Sequence, residues 1–243
     1  MSPPVTEVLD IGGQPAEVMI PANRNGHLVI HYHGHGENQT AMRTDTWNKW
    51  PITQDLLAAG YMVAGSAAQL NNWGNPASVA DYEALYAYVK GRWGVTKVLH
   101  LSQSMGGLSG LNTIAHGVVP AHGWAGIFPA CSLSNMFGSN AGTYAASIRA
   151  AYGIASDGSD YSTKTSGSDP MTVSASLFTG VPMRFYASSS DTVATKADNS
   201  DAFSARVGSL TPEETVVACT GSHGDASHFQ SSDLLAFFAR CVA

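Results

Sequence analysis

Charged residues are scarce in this chain. Only 12% of its 243 residues are Asp, Glu, Lys or Arg, and the formal net charge at pH 7 is −6. A protein that binds a nucleic acid backbone or an anionic membrane surface presents an excess of Lys and Arg side chains. Since the 12 Lys and Arg are outnumbered by 18 Asp and Glu, the composition argues against both nucleic acid and membranes as partners.

Cysteines and long apolar runs are also few. Cys131, Cys219 and Cys241 form neither a paired set nor a Cys-x-x-Cys cluster, so we expect buried free thiols instead of a disulfide framework. No stretch reaches the roughly 18 apolar residues of a membrane-spanning helix, and residues 1–21 lack the basic and apolar regions of an export signal. We therefore expect a chain without a signal peptide or membrane span, cytoplasmic or released by another route.

The chain does have a regular alternation of strand-like and helix-like segments. After a hairpin pattern at residues 7–20, apolar strand patterns separated by helical spacing occur at residues 27–33, 61–65, 97–103, 124–128, 181–186 and 215–219. This alternation predicts an α/β fold with a mostly parallel central sheet and helices on both faces. No linker-like stretch divides residues 1–243, so we predict a single domain.

The most informative segment runs from Lys97 to Gly107, where an apolar strand pattern stops at a serine and continues into glycines. A sharp strand-to-helix turn of this kind holds a serine Oγ clear of the backbone. The usual pattern is Gly-x-Ser-x-Gly, and here Ser102 replaces the first glycine, a change that a small side chain permits. We predict that Ser104 is a nucleophile.

A serine hydroxyl is a poor nucleophile at neutral pH, so it requires a base and a third group that orients the base. Asp191 follows the strand pattern at 181–186 and is the predicted orienting carboxylate. Two histidines follow the pattern at 215–219. The short glycine-containing turn before His223 favours it as the base, and His228 is the alternative.

An oxyanion intermediate needs two hydrogen-bond donors. The turn itself supplies the backbone N–H of Met105. The second donor is expected from the loop His33-Gly34-His35-Gly36, where glycine allows the backbone to approach a substrate closely. We predict the N–H of His35, with Gly36 as the alternative.

In order and context these motifs resemble the α/β-hydrolase superfamily, from about His27 to the end of the chain. The resemblance rests on strand-His33-Gly34, Ser104-Met105-Gly106-Gly107, strand-turn-Asp191, and strand-Gly221-Ser222-His223, with Trp73-Gly74 and Asp81 similar to the segment before the serine turn. It implies acyl transfer to water through an acyl-serine intermediate, with no metal or organic cofactor. Ala226-Ser227-His228-Phe229 also resembles the histidine loop of cutinase-like polyester hydrolases, which would make His228 the base.

Residues 133–179 lie between two strand patterns, where this fold commonly carries a cap, and we predict a small cap insertion there. It contains one predicted amphipathic helix, about Ala141 to Tyr152. Phe137 in this segment and Trp73 in the preceding polar loop are the predicted substrate contacts. A cap this small favours an open cleft that accepts modest acyl groups or the end of a polymer.

Two other classes of function would leave different marks in the sequence. His31, His33 and His35 would share one face of a strand and could hold zinc, but glycines end the strand and no Asp-His pair follows. A non-catalytic binding module on the same fold would lack one of the three catalytic residues. We therefore predict a serine hydrolase without a metal, a carboxylesterase acting on short or medium acyl esters. A polymer- or saccharide-directed esterase and a peptidase stay open, as does the oligomeric state.

Overall fold

The structure is a computed structural model that describes residues 4–44, 49–139 and 143–243. Its strands form one sheet of eight: β1 Val5–Ile11, β2 Gln14–Ile20, β3 His27–Tyr32, β4 Met62–Ser66, β5 Lys97–Gln103, β6 Gly123–Ile127, β7 Met183–Ser188 and β8 Glu214–Cys219. Their order is β1-β2-β4-β3-β5-β6-β7-β8. Only β1–β2 and β2–β4 pair antiparallel, which confirms the predicted mostly parallel sheet.

Helices cover both faces of this sheet. They are α1 Trp50–Ala58, α2 Pro76–Trp93, α3 Gly106–Ala115, α4 Leu133–Ser139, α5 Ala145–Tyr152, α6 Tyr161–Lys164, α7 Ala202–Val207 and α8 Ser231–Val242. Side chains of β3 alternate between the faces: Val29 packs with α1 and α8, whereas Leu28 and Ile30 pack with α2. No helix in the described ranges combines the length and the apolar character needed to cross a bilayer.

The boundaries of α2 follow from its terminal residues. The side chain of Asn75 accepts a hydrogen bond from Ser78 N at 2.8 Å, and Pro76 occupies the first helical position, where its missing N–H is harmless. Gly94 ends the helix with a φ of +68°, a conformation that glycine adopts without strain. The helix thus ends three residues before Lys97, the first residue of β5.

The segment between β6 and β7 is more helical than the sequence predicts. Its described part contains α4, α5, α6 and a 3₁₀ turn at Ala175–Phe178, whereas we expected one helix. The predicted start of that helix at Ala141 lies outside the described residues, as does Thr46, where helical spacing in the sequence predicts the start of α1. Helices of four or seven residues are too short to leave a periodic apolar pattern.

The three cysteines are free thiols, as expected. Cys131 and Cys219 are buried and Cys241 is partly buried. Burial raises the pKa of Cys219 to about 11, so this thiol is protonated at neutral pH.

Candidate active site

Ser104 lies in the turn between β5 and α3. Its φ is +49°, a conformation that a non-glycine residue rarely adopts, and its N–H donates to Ile127 O at 3.0 Å. The turn can be this tight because position 106 is glycine: a Cβ there would lie 2.0 Å from Tyr32 O. The backbone N–H of Met105 lies at the start of α3, where first-turn N–H groups have no partner within the helix.

Ser102 occupies the place of the missing first glycine. Its side chain is buried, and its Oγ accepts a hydrogen bond from Trp124 Nε1 at 3.0 Å. The space comes from α3, because a Cβ at Gly110 would lie 2.3 Å from Ser102 Oγ. A glycine on the facing helix therefore makes room for the serine on the strand.

Three predicted residues form one chain of hydrogen bonds. Ser104 Oγ lies 2.8 Å from His223 Nε2, and His223 Nδ1 lies 2.7 Å from Asp191 Oδ2. The other carboxylate oxygen, Asp191 Oδ1, accepts from the backbone N–H of Val193 at 2.8 Å and of Ala194 at 3.2 Å. These residues follow the carboxyl ends of β5, β7 and β8, which is where parallel sheets gather reactive groups.

The residues joined by these hydrogen bonds differ in solvent exposure. The Asp191 side chain is 2% exposed, and that of His223 is 17% exposed. Donors on both oxygens hold the Asp191 carboxylate in one orientation. The hydrogen bond to Asp191 therefore directs the Nδ1 proton of His223 to the carboxylate and leaves Nε2 to accept from Ser104.

The loop that carries His223 is held by its own hydrogen bonds. Ser227 Oγ donates to Thr220 O at 2.6 Å and accepts from Thr220 N at 3.1 Å. Gly221 has a φ of +77°, and a Cβ there would meet the Asp225 carboxylate at 2.3 Å. The turn after β8 is thus closed at its base, which limits the positions open to His223.

His228, the alternative base, occupies a different place. It is fully buried, and its Nδ1 lies 3.0 Å from Asp225 O. Its Nε2 has no hydrogen-bond partner within the described ranges, and burial lowers its pKa. Its ring meets Phe128 edge-on at 5.2 Å, and the same Phe128 packs on His223 at 4.5 Å. His228 therefore supports the packing around His223, while His223 contacts Ser104.

The loop after β3 offers backbone donors beside the serine. Gly34 N donates to Glu37 Oε2 at 2.9 Å, and Gly36 N donates to Asn71 Oδ1 at 2.7 Å. His35 N has no acceptor among the described residues. Of the two predicted donors in this loop, His35 is therefore the one whose N–H is available to a ligand.

A buried ion pair anchors this loop, and the sequence analysis did not find it. Glu37, which accepts from Gly34 N, also binds the ammonium group of Lys49 through Oε1. The Lys49 side chain is 1% exposed, and burial lowers its pKa although Glu37 opposes the shift. Nothing local in the sequence indicates this pairing, because the partners are twelve residues apart and follow no helical or strand spacing.

A cavity of about 270 Å³ opens beside Ser104. Its lining residues are Gly34, His35, Gln103, Ser104, Phe128, Tyr144, Val193, His223 and Gly224. Larger cavities of about 340 to 500 Å³ lie elsewhere, but the described residues that line them include no serine hydrogen-bonded to a histidine. The chemistry of the lining, and not the volume, therefore identifies the candidate site.

Neither predicted substrate contact is among the described residues that line this cavity. Trp73 is 1% exposed, and its Nε1 donates to Ser147 Oγ at 2.8 Å. Its ring packs on Tyr144 at 5.2 Å, so Trp73 contacts a residue that lines the cavity without lining it itself. Phe137 stacks on Tyr161 at 4.4 Å. The aromatic lining is instead supplied by Tyr144 and by Phe128 after β6, whose φ is +38°.

His31, His33 and His35, which alternate along the chain, each have different contacts. His33 is buried, with Nδ1 2.9 Å from Gly34 O and Nε2 3.0 Å from Ala67 O. His35 lies against Ser147, and His31 is buried with a pKa well below its ordinary value because of burial and the nearby Lys49. Within residues 4–44, 49–139 and 143–243, no three His, Cys, Asp or Glu side chains are grouped as metal ligands.

Comparison with solved structures finds this architecture in known hydrolases. The Pyrococcus furiosus esterase Pf2001 superposes with a TM-score of 0.70 at 14% identity, covering 98% of this chain and 92% of the esterase. Carboxyl esterase 2 of the fungus Tuber melanosporum gives 0.73 at 16% identity, covering 98% and 86%. A puromycin hydrolase gives 0.74 at 14% identity, covering 99% of this chain but 39% of the longer protein.

The protein therefore has the α/β-hydrolase fold. No protein-family model and no curated protein matches its sequence.

Proposed function

We propose that this protein is a serine hydrolase, and specifically a carboxylesterase that cleaves short or medium acyl esters. The observation that carries the proposal is the hydrogen-bonded chain from Ser104 through His223 to Asp191, with distances of 2.8 and 2.7 Å. These are the contacts that nucleophile, base and orienting group require.

In the proposed reaction Ser104 Oγ attacks the ester carbonyl carbon while His223 Nε2 takes its proton. The backbone N–H groups of Met105 and His35 stabilise the oxyanion. Collapse of the intermediate breaks the bond to the alcohol, which leaves with the proton from His223 and gives an acyl-Ser104. Water then attacks the acyl-enzyme with His223 again as base, releasing the acid and free Ser104. Asp191 stabilises the imidazolium in both halves.

The size of the cavity supports a small acyl group. Its volume of about 270 Å³ lies below the range of about 300–1,000 Å³ typical of ligand pockets. The similar structures from Pyrococcus furiosus and Tuber melanosporum are esterases, which supports ester hydrolysis.

A fluorophosphonate probe tests the nucleophile and the base. We expect labelling of the wild type, none of Ser104→Ala, and a loss of at least about 100-fold in labelling rate for His223→Ala. Ser209→Ala is the matched serine control, because Ser209 is exposed, and His228→Ala is the matched histidine control. Persistent labelling of Ser104→Ala would overturn the proposal, and full activity of His223→Ala would transfer the role of base to His228.

A series of p-nitrophenyl esters from acetate to laurate tests the acyl size. We expect kcat/KM to be highest for the shorter members and to fall for long chains. Peptide p-nitroanilides are run in parallel, because prolyl endopeptidases share the fold over 39% of their length. Cleavage of the anilides without cleavage of the esters would replace the esterase assignment with a peptidase.

A further inference from the structure

Two aromatic rings from separate segments lie side by side along the cavity next to Ser104. His35, in the loop after β3, and Tyr144, which directly precedes α5, both line this cavity. Their ring centroids are 5.3 Å apart, and the rings meet edge to face. His35 is exposed and Tyr144 is partly exposed, so both present surface to a ligand, and we call this pair the ring wall.

Buried groups fix the orientation of the ring wall. Trp73 is 1% exposed, and its ring lies 5.6 Å from that of His35 and 5.2 Å from that of Tyr144. Ser147 Oγ accepts from Trp73 Nε1 at 2.8 Å and lies 3.3 Å from His35 Nε2. The two rings are therefore held in place before a ligand arrives, which reduces the entropy that binding costs.

The ring wall is uncharged at neutral pH. Burial lowers the pKa of His35, and burial together with Asp191 raises the pKa of Tyr144. The described residues that line the cavity include no Asp, Glu, Lys or Arg. A charged group on the substrate would find no ion-pair partner among them, so the ring wall favours a neutral ligand.

The chemistry of the lining favours a ring over an alkyl chain or a sugar. Aromatic rings attract one another at centroid distances of about 4.5–7 Å by more than their buried area accounts for. Val193 is the only aliphatic side chain among the described lining residues. Besides Ser104 and His223, the exposed polar side chains of this lining are those of the ring wall itself, which is few for the hydroxyls of a sugar.

The volume is also sufficient for a ring. A cavity of about 150 Å³ accommodates benzene. The cavity beside Ser104 measures about 270 Å³, which leaves room for the ester group next to the ring.

We propose that the ring wall binds an aromatic ring of the substrate, so that the preferred substrates are esters that carry an aryl group on the acyl or the alcohol side. This inference rests on the proposed esterase function and names a substrate class for it. It predicts that an aryl ester gains more from Tyr144 and His35 than does the ester with a saturated ring of the same carbon number, which has no π system.

Two matched pairs of esters followed by pH-stat titration test this inference. Ethyl phenylacetate and ethyl cyclohexylacetate test the acyl side, and benzyl acetate and cyclohexylmethyl acetate test the alcohol side. We expect Tyr144→Leu to lower the aryl-to-cyclohexyl ratio of kcat/KM by about 2- to 10-fold in one of the pairs, which identifies the side that carries the ring. His35→Leu, which keeps the backbone N–H, is expected to lower the same ratio.

Two variants serve as controls. Tyr144→Phe keeps a ring at the cavity and should keep the ratio of the wild type. Tyr161→Leu removes a ring from the same segment between β6 and β7, but Tyr161 stacks on Phe137 and is not among the described residues that line the cavity. It should also keep the ratio. Because each ratio compares two esters on one enzyme, general damage by a substitution cancels.

Three results would overturn the inference. In the first, both pairs give equal ratios in the wild type, Tyr144→Leu and His35→Leu. In the second, Tyr161→Leu lowers the ratio as much as Tyr144→Leu does. In the third, Tyr144→Phe lowers it as much, which would assign the effect to the hydroxyl. Failure of the proposed function looks different, because then the wild type hydrolyses neither member of either pair and fluorophosphonate does not label Ser104.

Discussion

The substitution Asp191→Asn removes one charge and leaves the shape of the side chain almost unchanged. In the wild type, Oδ1 accepts two backbone N–H groups and Oδ2 accepts from His223 Nδ1. An asparagine keeps both backbone bonds only if its oxygen takes the Oδ1 position. The opposite orientation gives up two hydrogen bonds worth about 1 kcal/mol each, which disfavours it by roughly 30-fold.

The amide group of the substituted side chain, fixed in this way, presents N–H to His223 Nδ1. That ring nitrogen must then accept, the proton moves to Nε2, and Nε2 can no longer take the proton of Ser104. We expect kcat on p-nitrophenyl butyrate to fall by about 10⁴-fold. Since the two backbone bonds remain, the free energy of unfolding should change by less than about 1 kcal/mol.

Steady-state kinetics and urea unfolding of the same preparation measure both quantities. Asp169→Asn is the matched control, because Asp169 is 4% exposed and also accepts backbone N–H groups, from Ser134 and Met171. The control should lose stability and keep kcat. If Asp191→Asn stays folded and loses less than about 10-fold in kcat, the carboxylate does not set the tautomer of His223 and the reasoning is refuted.

Three further predictions concern buried polar groups. Lys49→Met leaves the partly buried Glu37 carboxylate without its cation, so urea unfolding should show a loss of about 3 kcal/mol, part of which Glu37→Gln restores in the double variant. Burial lowers the pKa of His100 from 6.5 to about 4, so its contribution to stability is complete above pH 6.5 and is lost as the pH falls towards 4. The free energy of unfolding should decrease by about 3 kcal/mol over that interval through this residue, and less steeply in His100→Gln. Ser102→Gly restores the usual first glycine but removes the acceptor of Trp124 Nε1, so it should lower stability by about 2 kcal/mol and leave fluorophosphonate labelling intact.

Each of these predictions has an outcome that contradicts it. Unchanged stability of Lys49→Met would mean that the ion pair does not anchor the loop after β3. Equal pH dependence in His100→Gln and the wild type would mean that His100 titrates alike in the folded and unfolded chain. A stabilised Ser102→Gly would mean that the serine is a tolerated defect and that Trp124 finds another acceptor.

The sequence was most informative where the chemistry depends on neighbouring residues. The turn at Ser104 was predictable because its apolar strand, its serine and its glycines are adjacent, and the glycines are required by the close approach of Tyr32 O to Gly106 and of Ala130 O to Gly107. The sheet was predictable for a similar reason, since alternation of strand and helix patterns leaves few topologies open. Asp191 was found as the first carboxylate after a buried strand.

Contacts between distant segments were not predictable in this way. The two histidines after β8 are five residues apart, and the sequence had to leave His228 open as an alternative to His223. Trp73 and Phe137 were expected to contact substrate because they are aromatic and lie in a polar loop and in the predicted cap, yet their rings pack on Tyr144 and Tyr161. Which aromatic ring lines a cavity depends on packing that no local pattern encodes.

By itself, the sequence determined the α/β class, the tight turn at Ser104 and the chain order of serine, aspartate and histidine, because these depend on periodicity and on local backbone conformation. Only the tertiary structure decided that His223 meets Ser104 while His228 packs behind Phe128, and that His35 N–H is available while Gly36 N–H binds Asn71. These distinctions are differences of a few ångströms between residues brought together from separate strands and loops, and they arise only when the sheet aligns its carboxyl ends.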